Sequence, residues 1–161
     1  MSEQETSDST PLFRDNYVPS IPHYPIEAPE IPTGSTYYFN TDSGLRYEVL
    51  FAKKRDDYLG NIINFSVLNE EFEDEYSETN RGEVYRVIAT VVEIIRIYHS
   101  FHSYSLSYEF SGEFKDRNDD GETSKRTMLY YRKALHIMHP KWHTELCGNK
   151  VVVFLKKRQN V

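Results

Sequence analysis

The sequence predicts an α+β protein: a mainly antiparallel sheet with two amphipathic helices in the order β-β-β-α-β-α-β-β, preceded by an extended Pro-rich N-terminal arm. Three observations predict it. Apolar residues alternate with polar ones at period two in several short runs separated by turn residues. Two longer runs carry apolar stripes at the 3.6-residue helical period. Six of the seven prolines fall before residue 33. With 161 residues the chain has the length of one domain, divided into an arm, 1–32, and a single α+β domain, 33–161.

Prolines 11, 19, 22, 25, 29 and 32 fix φ and push their preceding residues toward extended backbone. The arm therefore has a polyproline-like reach of roughly 70 Å for its proline-bearing part, at about 3.1 Å per residue. Between the prolines stand Leu12, Phe13, Tyr17, Val18, Ile21, Tyr24, Ile26 and Ile31. An extended strip cannot bury these against itself, so they lie either on the protein's own domain or on a partner. Phe13, Tyr17, Ile21, Tyr24 and Ile26 are the candidate partner-binding residues, and removal of 1–32 is expected to leave the domain folded. The mechanism is burial of the strip in a partner's groove or strand addition to its sheet edge.

Thr36–Asn40 is β-rich, and Thr41-Asp42-Ser43-Gly44 is a turn. From Leu45 to Lys53, Leu45, Tyr47, Val49 and Phe51 share one face while Arg46 and Glu48 share the other. Asp56, Asp57 and Gly60 mark the next turn, and Asn61–Leu68 completes an antiparallel meander. Residues 70–78 hold six carboxylates and read as a solvated, self-repelling loop. From Gly82 to about His99, Val84, Val87, Ile88, Val91, Ile95 and Tyr98 form one helical stripe, whose burial contributes on the order of 10 kcal/mol before chain entropy is subtracted. Tyr104–Phe114 reads as a fourth strand with Tyr104, Leu106, Tyr108 and Phe110 inward. Thr123 or Ser124 caps a second helix with the stripe Met128, Tyr131, Leu135 and Met138, stopped by Pro140. Trp142–Cys147 and Lys150–Leu155 flank Gly148-Asn149, a two-residue hairpin signal. The helices cover either one face of the sheet or both.

Composition excludes several functions. Charged residues are 27%, hydrophobic 39% and aromatic 14%, which excludes disorder through most of the chain. The formal charge of −6 makes a nucleic-acid partner unexpected, because non-specific affinity for phosphate backbones is cationic. No run is long and apolar enough to span a membrane. The acidic start lacks an apolar leader. The lone Cys147 fits a reducing compartment, so the expected location is the cytoplasm or a virion.

No cofactor is expected. Asp116-Arg117-Asn118-Asp119-Asp120-Gly121 matches the first half of a calcium loop, but Thr127 stands where the bidentate Glu belongs, so a polar connection is expected. His136, His139, His143 and Cys147 could ligate zinc, but they form no closed two-plus-two signature. No metal is expected there, and Cys147, beside a hairpin turn, reads as a structural thiol. The pairs and triplets Lys53-Lys54-Arg55, Lys125-Arg126 and Lys156-Lys157-Arg158 read as solubilising surface, with a combined anion-binding patch at the second helix N-terminus as the alternative.

The helix beginning Gly82-Glu83-Val84, the next strand, and a helix opened by Ser124-Lys125-Arg126-Thr127-Met128-Leu129-Tyr130 resemble the C-terminal half of the GNAT acetyltransferase plan. There a strand and loop feed a helix that holds the acetyl-CoA pyrophosphate, and a later helix carries a Leu-Tyr pair, matched here by Leu129-Tyr130. Thr41-Asp42-Ser43-Gly44, Ala89-Thr90-Val91 and Ser124–Tyr130 are also similar to motifs in a set of small phage and bacterial proteins. Asn80-Arg81-Gly82-Glu83-Val84-Tyr85 departs from the small-residue phosphate loop of the acetyltransferases. What the resemblance implies is therefore a phage-encoded, degenerate GNAT-like plan in which the cofactor site is lost and Tyr130 packs. The expected function is a non-enzymatic protein-interaction or virion-associated component; the alternative is an acetyl-CoA-dependent acyltransferase.

Overall fold

The computed structural model describes residues 11–69, 81–111 and 123–156. Three antiparallel strands, β1 (Thr36–Asn40), β2 (Arg46–Lys54) and β3 (Asp57–Val67), lead into α1 (Arg81–Phe101). Then follow β4 (Ser107–Phe110), α2 (Lys125–Ile137), β5 (Trp142–Cys147) and β6 (Lys150–Leu155). One six-stranded sheet has the order β1-β2-β3-β4-β6-β5. Only β3 and β4 are parallel, paired over Gly60–Ile62 and Ser107–Glu109; every other neighbour pair is antiparallel. A Cβ on Gly60 would stand 2.9 Å from Ser107 Oγ, so glycine permits the close approach at this joint. Gly44, at φ 95°, closes the β1–β2 turn.

Register puts the buried strand residues on one face. Phe39 opposes Tyr47, Val49 opposes Phe65 and Phe51 opposes Ile63. Asn61 pairs with Tyr108, and Tyr108 with Val153. Both helices cover this same face. Tyr98 of α1 stacks on Phe51 at 3.9 Å between centroids, and Tyr130 of α2 stacks on Phe65 at 5.8 Å. The opposite face carries half-buried Tyr38, Glu48, Leu50, Ile62, Glu109, Val152 and Phe154, with no helix over it among the described residues.

The α1 stripe is buried as its period predicts. Of the stripe expected for α2 only Met138, just past the end of the helix, is buried. The buried residues of α2 itself are Arg126, Thr127, Tyr130, Ala134 and Ile137, whereas Leu135 is 48% exposed. The inward face is thus displaced one residue toward the N-terminus of Met128, Tyr131 and Leu135, because Thr127 and Ala134 are small enough to let the helix settle on Phe65 and Phe110. The fourth strand is shorter than expected at its start. The chain turns after α1 through Ser105 N–H to His102 O and His102 N–H to His99 O, leaving Tyr104 and Leu106 exposed. Residues 112–114 lie outside the described part.

The arm does not stand apart from the domain. Leu12 and Tyr24 belong to the same buried cluster as the strands and helices. Regular structure begins at Thr36, but the core begins earlier, at Leu12. No helix is long and apolar enough to cross a membrane among the described residues.

Candidate functional site

The arm is a strap pinned at two places. At its first anchor, the Arg14 N–H donates to Ile137 O (2.7 Å) and the His139 N–H donates to Leu12 O (2.8 Å). Arg14 Nε donates to His136 O (3.1 Å), and Trp142 Nε1 donates to Pro11 O (3.2 Å). The two bonds donated by Arg14 satisfy the carbonyls of His136 and Ile137 at the end of α2, and the other two satisfy carbonyls of the arm. At the second anchor, the Tyr24 N–H donates to Thr90 Oγ1 (2.9 Å). Glu27 and Tyr38 exchange both backbone hydrogen bonds, at 2.8 and 3.1 Å, and so cover the β1 edge. Arg46 clamps Glu27 at 2.8 Å, which holds the Glu27 carboxyl below its usual value, chiefly through that hydrogen bond.

The five candidate residues divide accordingly. Tyr24 is buried, with Arg86 over its ring at 4.1 Å. Phe13, Tyr17 and Ile26 are partly buried against the core, and Phe13 and Tyr17 meet edge to face. Ile21 is 36% exposed, and beside it Val18 is 78% exposed. In the free chain these five side chains are not a vacant strip; between the anchors the strap presents Val18-Pro19-Ser20-Ile21-Pro22. A cavity of about 30 Å³ lies beneath the first anchor, walled by Leu12, Phe13, Val92, Ile95, Tyr130 and Met138 among others.

The remaining candidates do not converge. His136 is exposed, His139 Nδ1 accepts from the Lys141 N–H, and His143 Nε2 lies 3.2 Å from Glu145 Oε2. No group of three potential ligands forms a metal site among the described residues. Cys147 is exposed rather than structural, because strand parity turns it, like His143 and Glu145, to the sheet face away from the helices. Asp116–Gly121 and residues 70–78 lie outside the described part. The basic groups do not combine at α2. Lys125 stands beside the β5–β6 hairpin, where the Ser124 N–H donates to Asn149 Oδ1, and Arg126 is buried. Lys53–Arg55 and Lys156 lie at the opposite end of the sheet.

Sequence reasoning missed a buried polar network at that opposite end. His99 Nδ1 and Tyr108 Oη share a hydrogen bond of 2.7 Å. Tyr98 Oη donates to Asn61 Oδ1 (3.2 Å), and Asn61 Nδ2 donates to Ser107 O (3.0 Å). His102 bridges Tyr98 O and Thr33 O. Burial pushes the Tyr98 hydroxyl up to about 12 and raises that of Tyr108 further. The polar members of an otherwise apolar helix end, His99 and His102, were the available signal.

The chain matches no protein-family model, and no curated protein or solved structure matches it.

Proposed function

We propose that this is a non-enzymatic protein-interaction component, phage-encoded and virion-associated in the sense its sequence resemblance implies, that docks through the exposed span of its N-terminal strap. One observation carries the proposal. A proline-studded segment with exposed Val18 and Ile21 is held at both ends by backbone hydrogen bonds to the domain. Ordering a free chain costs about 1–2 kcal/mol per residue; a segment already held extended spares much of that on binding. Pro19 and Pro22 offer no N–H, so recognition falls to side chains in an apolar groove. Phe13, Tyr17, Tyr24 and Ile26 then act as fixings that aim the exposed span.

The test is affinity capture from a lysate of the producing cells with wild-type protein and with a Val18→Glu, Ile21→Glu double variant. Both positions are exposed, so melting temperatures should agree within a degree or two. The captured partner should be lost with the double variant. Equal capture by both proteins would remove the proposal.

The acyltransferase alternative draws on the strand order and on the parallel β3–β4 pair, whose register ends at Ile62 while β3 runs on to Val67. Against it, Phe65, Phe110 and Tyr130 fill that fork on the helix side with rings 5.5–6.4 Å apart. Thermal stabilisation by millimolar acetyl-CoA would favour the alternative over the docking role.

A further inference from the structure

One end of the sheet gathers exposed apolar side chains and cations from separate parts of the chain. Register sets the row: Gly60 aligns with Ser107, Ser107 with Phe154, and Phe154 with His143. Just beyond this row the Leu106 N–H donates to Leu59 O, the Leu155 N–H to Leu106 O, and the Lys156 N–H to Lys141 O, each at 2.9 Å. The β2–β3 turn, the α1–β4 turn and the ends of β5 and β6 therefore stand side by side. On them Tyr58 is 76%, Tyr104 51%, Phe101 47% and Leu106 42% exposed.

Lys53 joins the two tyrosines. Its Nζ lies 4.8 Å from the Tyr104 ring centroid and 5.6 Å from that of Tyr58, and donates to Asn61 Oδ1 at 3.4 Å. Arg55, Lys141 and Lys156 are exposed around them. The carboxylates that register places at this end are Asp56 in the turn, Asp57 at the start of β3 and Glu109, which Lys54 meets at 3.3 Å. In a chain of net charge −6, this end carries more cations than anions, and its charges surround apolar side chains that nothing in the described chain covers.

We propose that this end of the sheet is a second docking surface, for an acidic peptide segment bearing apolar or aromatic anchors. Charge complementarity selects an anionic partner. The apolar centre selects one with side chains to bury, since exposed aromatic patches ringed by cations mark interaction sites. A peptide places its carboxylates at intervals and can pass Asp56 and Asp57. A single nucleic-acid strand carries a charge at every nucleotide and cannot avoid them. Lys53 already covers one face of each tyrosine ring, which further disfavours base stacking.

The test uses fluorescence anisotropy on the full chain with three probes: a synthetic peptide alternating Glu with Leu and Tyr, the same peptide with Lys for Glu, and oligothymidylate. The acidic peptide should bind and the basic one should not. Arg55→Glu with Lys156→Glu should weaken binding at least about tenfold, as loss of close charge pairs does. Tyr58→Ser should weaken it several-fold without moving the melting temperature, because the side chain is exposed. Salt near 1 M should weaken it about tenfold. Tighter binding of oligothymidylate than of the acidic peptide, equal binding of both peptides, or no response to these variants overturns the proposal. The strap residues Val18 and Ile21 play no part, so this outcome is independent of strap docking.

Discussion

Two buried tyrosine hydroxyls differ in what they meet. Tyr108 Oη shares a 2.7 Å hydrogen bond with His99, whereas Tyr37 Oη is buried without a hydrogen-bond partner among the described residues. Removing a hydroxyl that is bonded leaves its partner unsatisfied; removing one that is not bonded relieves a desolvation penalty. Tyr108→Phe should therefore destabilise by about 1–2 kcal/mol, while Tyr37→Phe should be neutral or stabilising by up to about 1 kcal/mol. Chemical denaturation at neutral pH checks both, and an equal loss in the two variants would contradict the difference. Alkaline pH gives a separate test. Burial raises the Tyr98 and Tyr108 hydroxyls above their ordinary value of 10.0, so the folded state holds protons that the unfolded chain releases. Their stabilising effect is complete below pH 10 and is lost as pH rises through the folded values. Tyrosinate absorbance should show these two groups titrating only as the protein unfolds. No sequence signal distinguishes Tyr37 from Tyr108: both are inward strand tyrosines, and the difference lies in what α1 brings opposite each.

At the scale of elements, α1 and the strands other than β4 were legible in the sequence pattern. Leu45, Tyr47, Val49 and Phe51 could face inward only together, and all are buried. In α2 the period was legible but its phase was not. Large apolar residues point to Met128, Tyr131 and Leu135, yet the seat on the sheet is shaped by Thr127, Tyr130, Ala134 and Ile137. Close packing against Phe65 and Phe110 favours small residues that a hydrophobicity count undervalues. Leu135→Ala should therefore change stability by less than about 0.5 kcal/mol, and Ile137→Ala should cost about 2–4 kcal/mol. The reverse order would restore the phase expected from the sequence. The helix start was readable to within one residue, Thr123 or Ser124, and Ser124 is the cap: its Oγ accepts from the Thr127 N–H at 3.0 Å, and Ser124→Ala should cost about 1 kcal/mol.

At the scale of the molecule, the arm closes a layer that the two helices leave incomplete. Leu12 lines one cavity together with Ile95 of α1, Ile137 of α2, and Tyr108 and Val153 of the sheet, and Tyr24 stacks on Phe39 at 6.0 Å. The composition of the arm showed that its apolar residues had to be covered, but not by what; proline patterning fixes an extended path without fixing its destination. Burial of Leu12 and Tyr24 contributes about 1.5–3 kcal/mol each, a large share of the roughly 5–15 kcal/mol by which a domain is stable. Loss of the arm would also strip the cap from the α2 carbonyls and bare the β1 edge that Glu27 covers. A protein lacking residues 1–32 should therefore melt about 10 °C or more below the full chain, at a few degrees per kcal/mol. It should also bind a hydrophobic dye that the full chain does not. Restoring the strap with Leu12→Ala alone should recover most, but not all, of the difference. A truncated protein that melts cooperatively within a few degrees of the full chain would show that the strap rests on a finished core, and would leave its whole apolar strip for a partner.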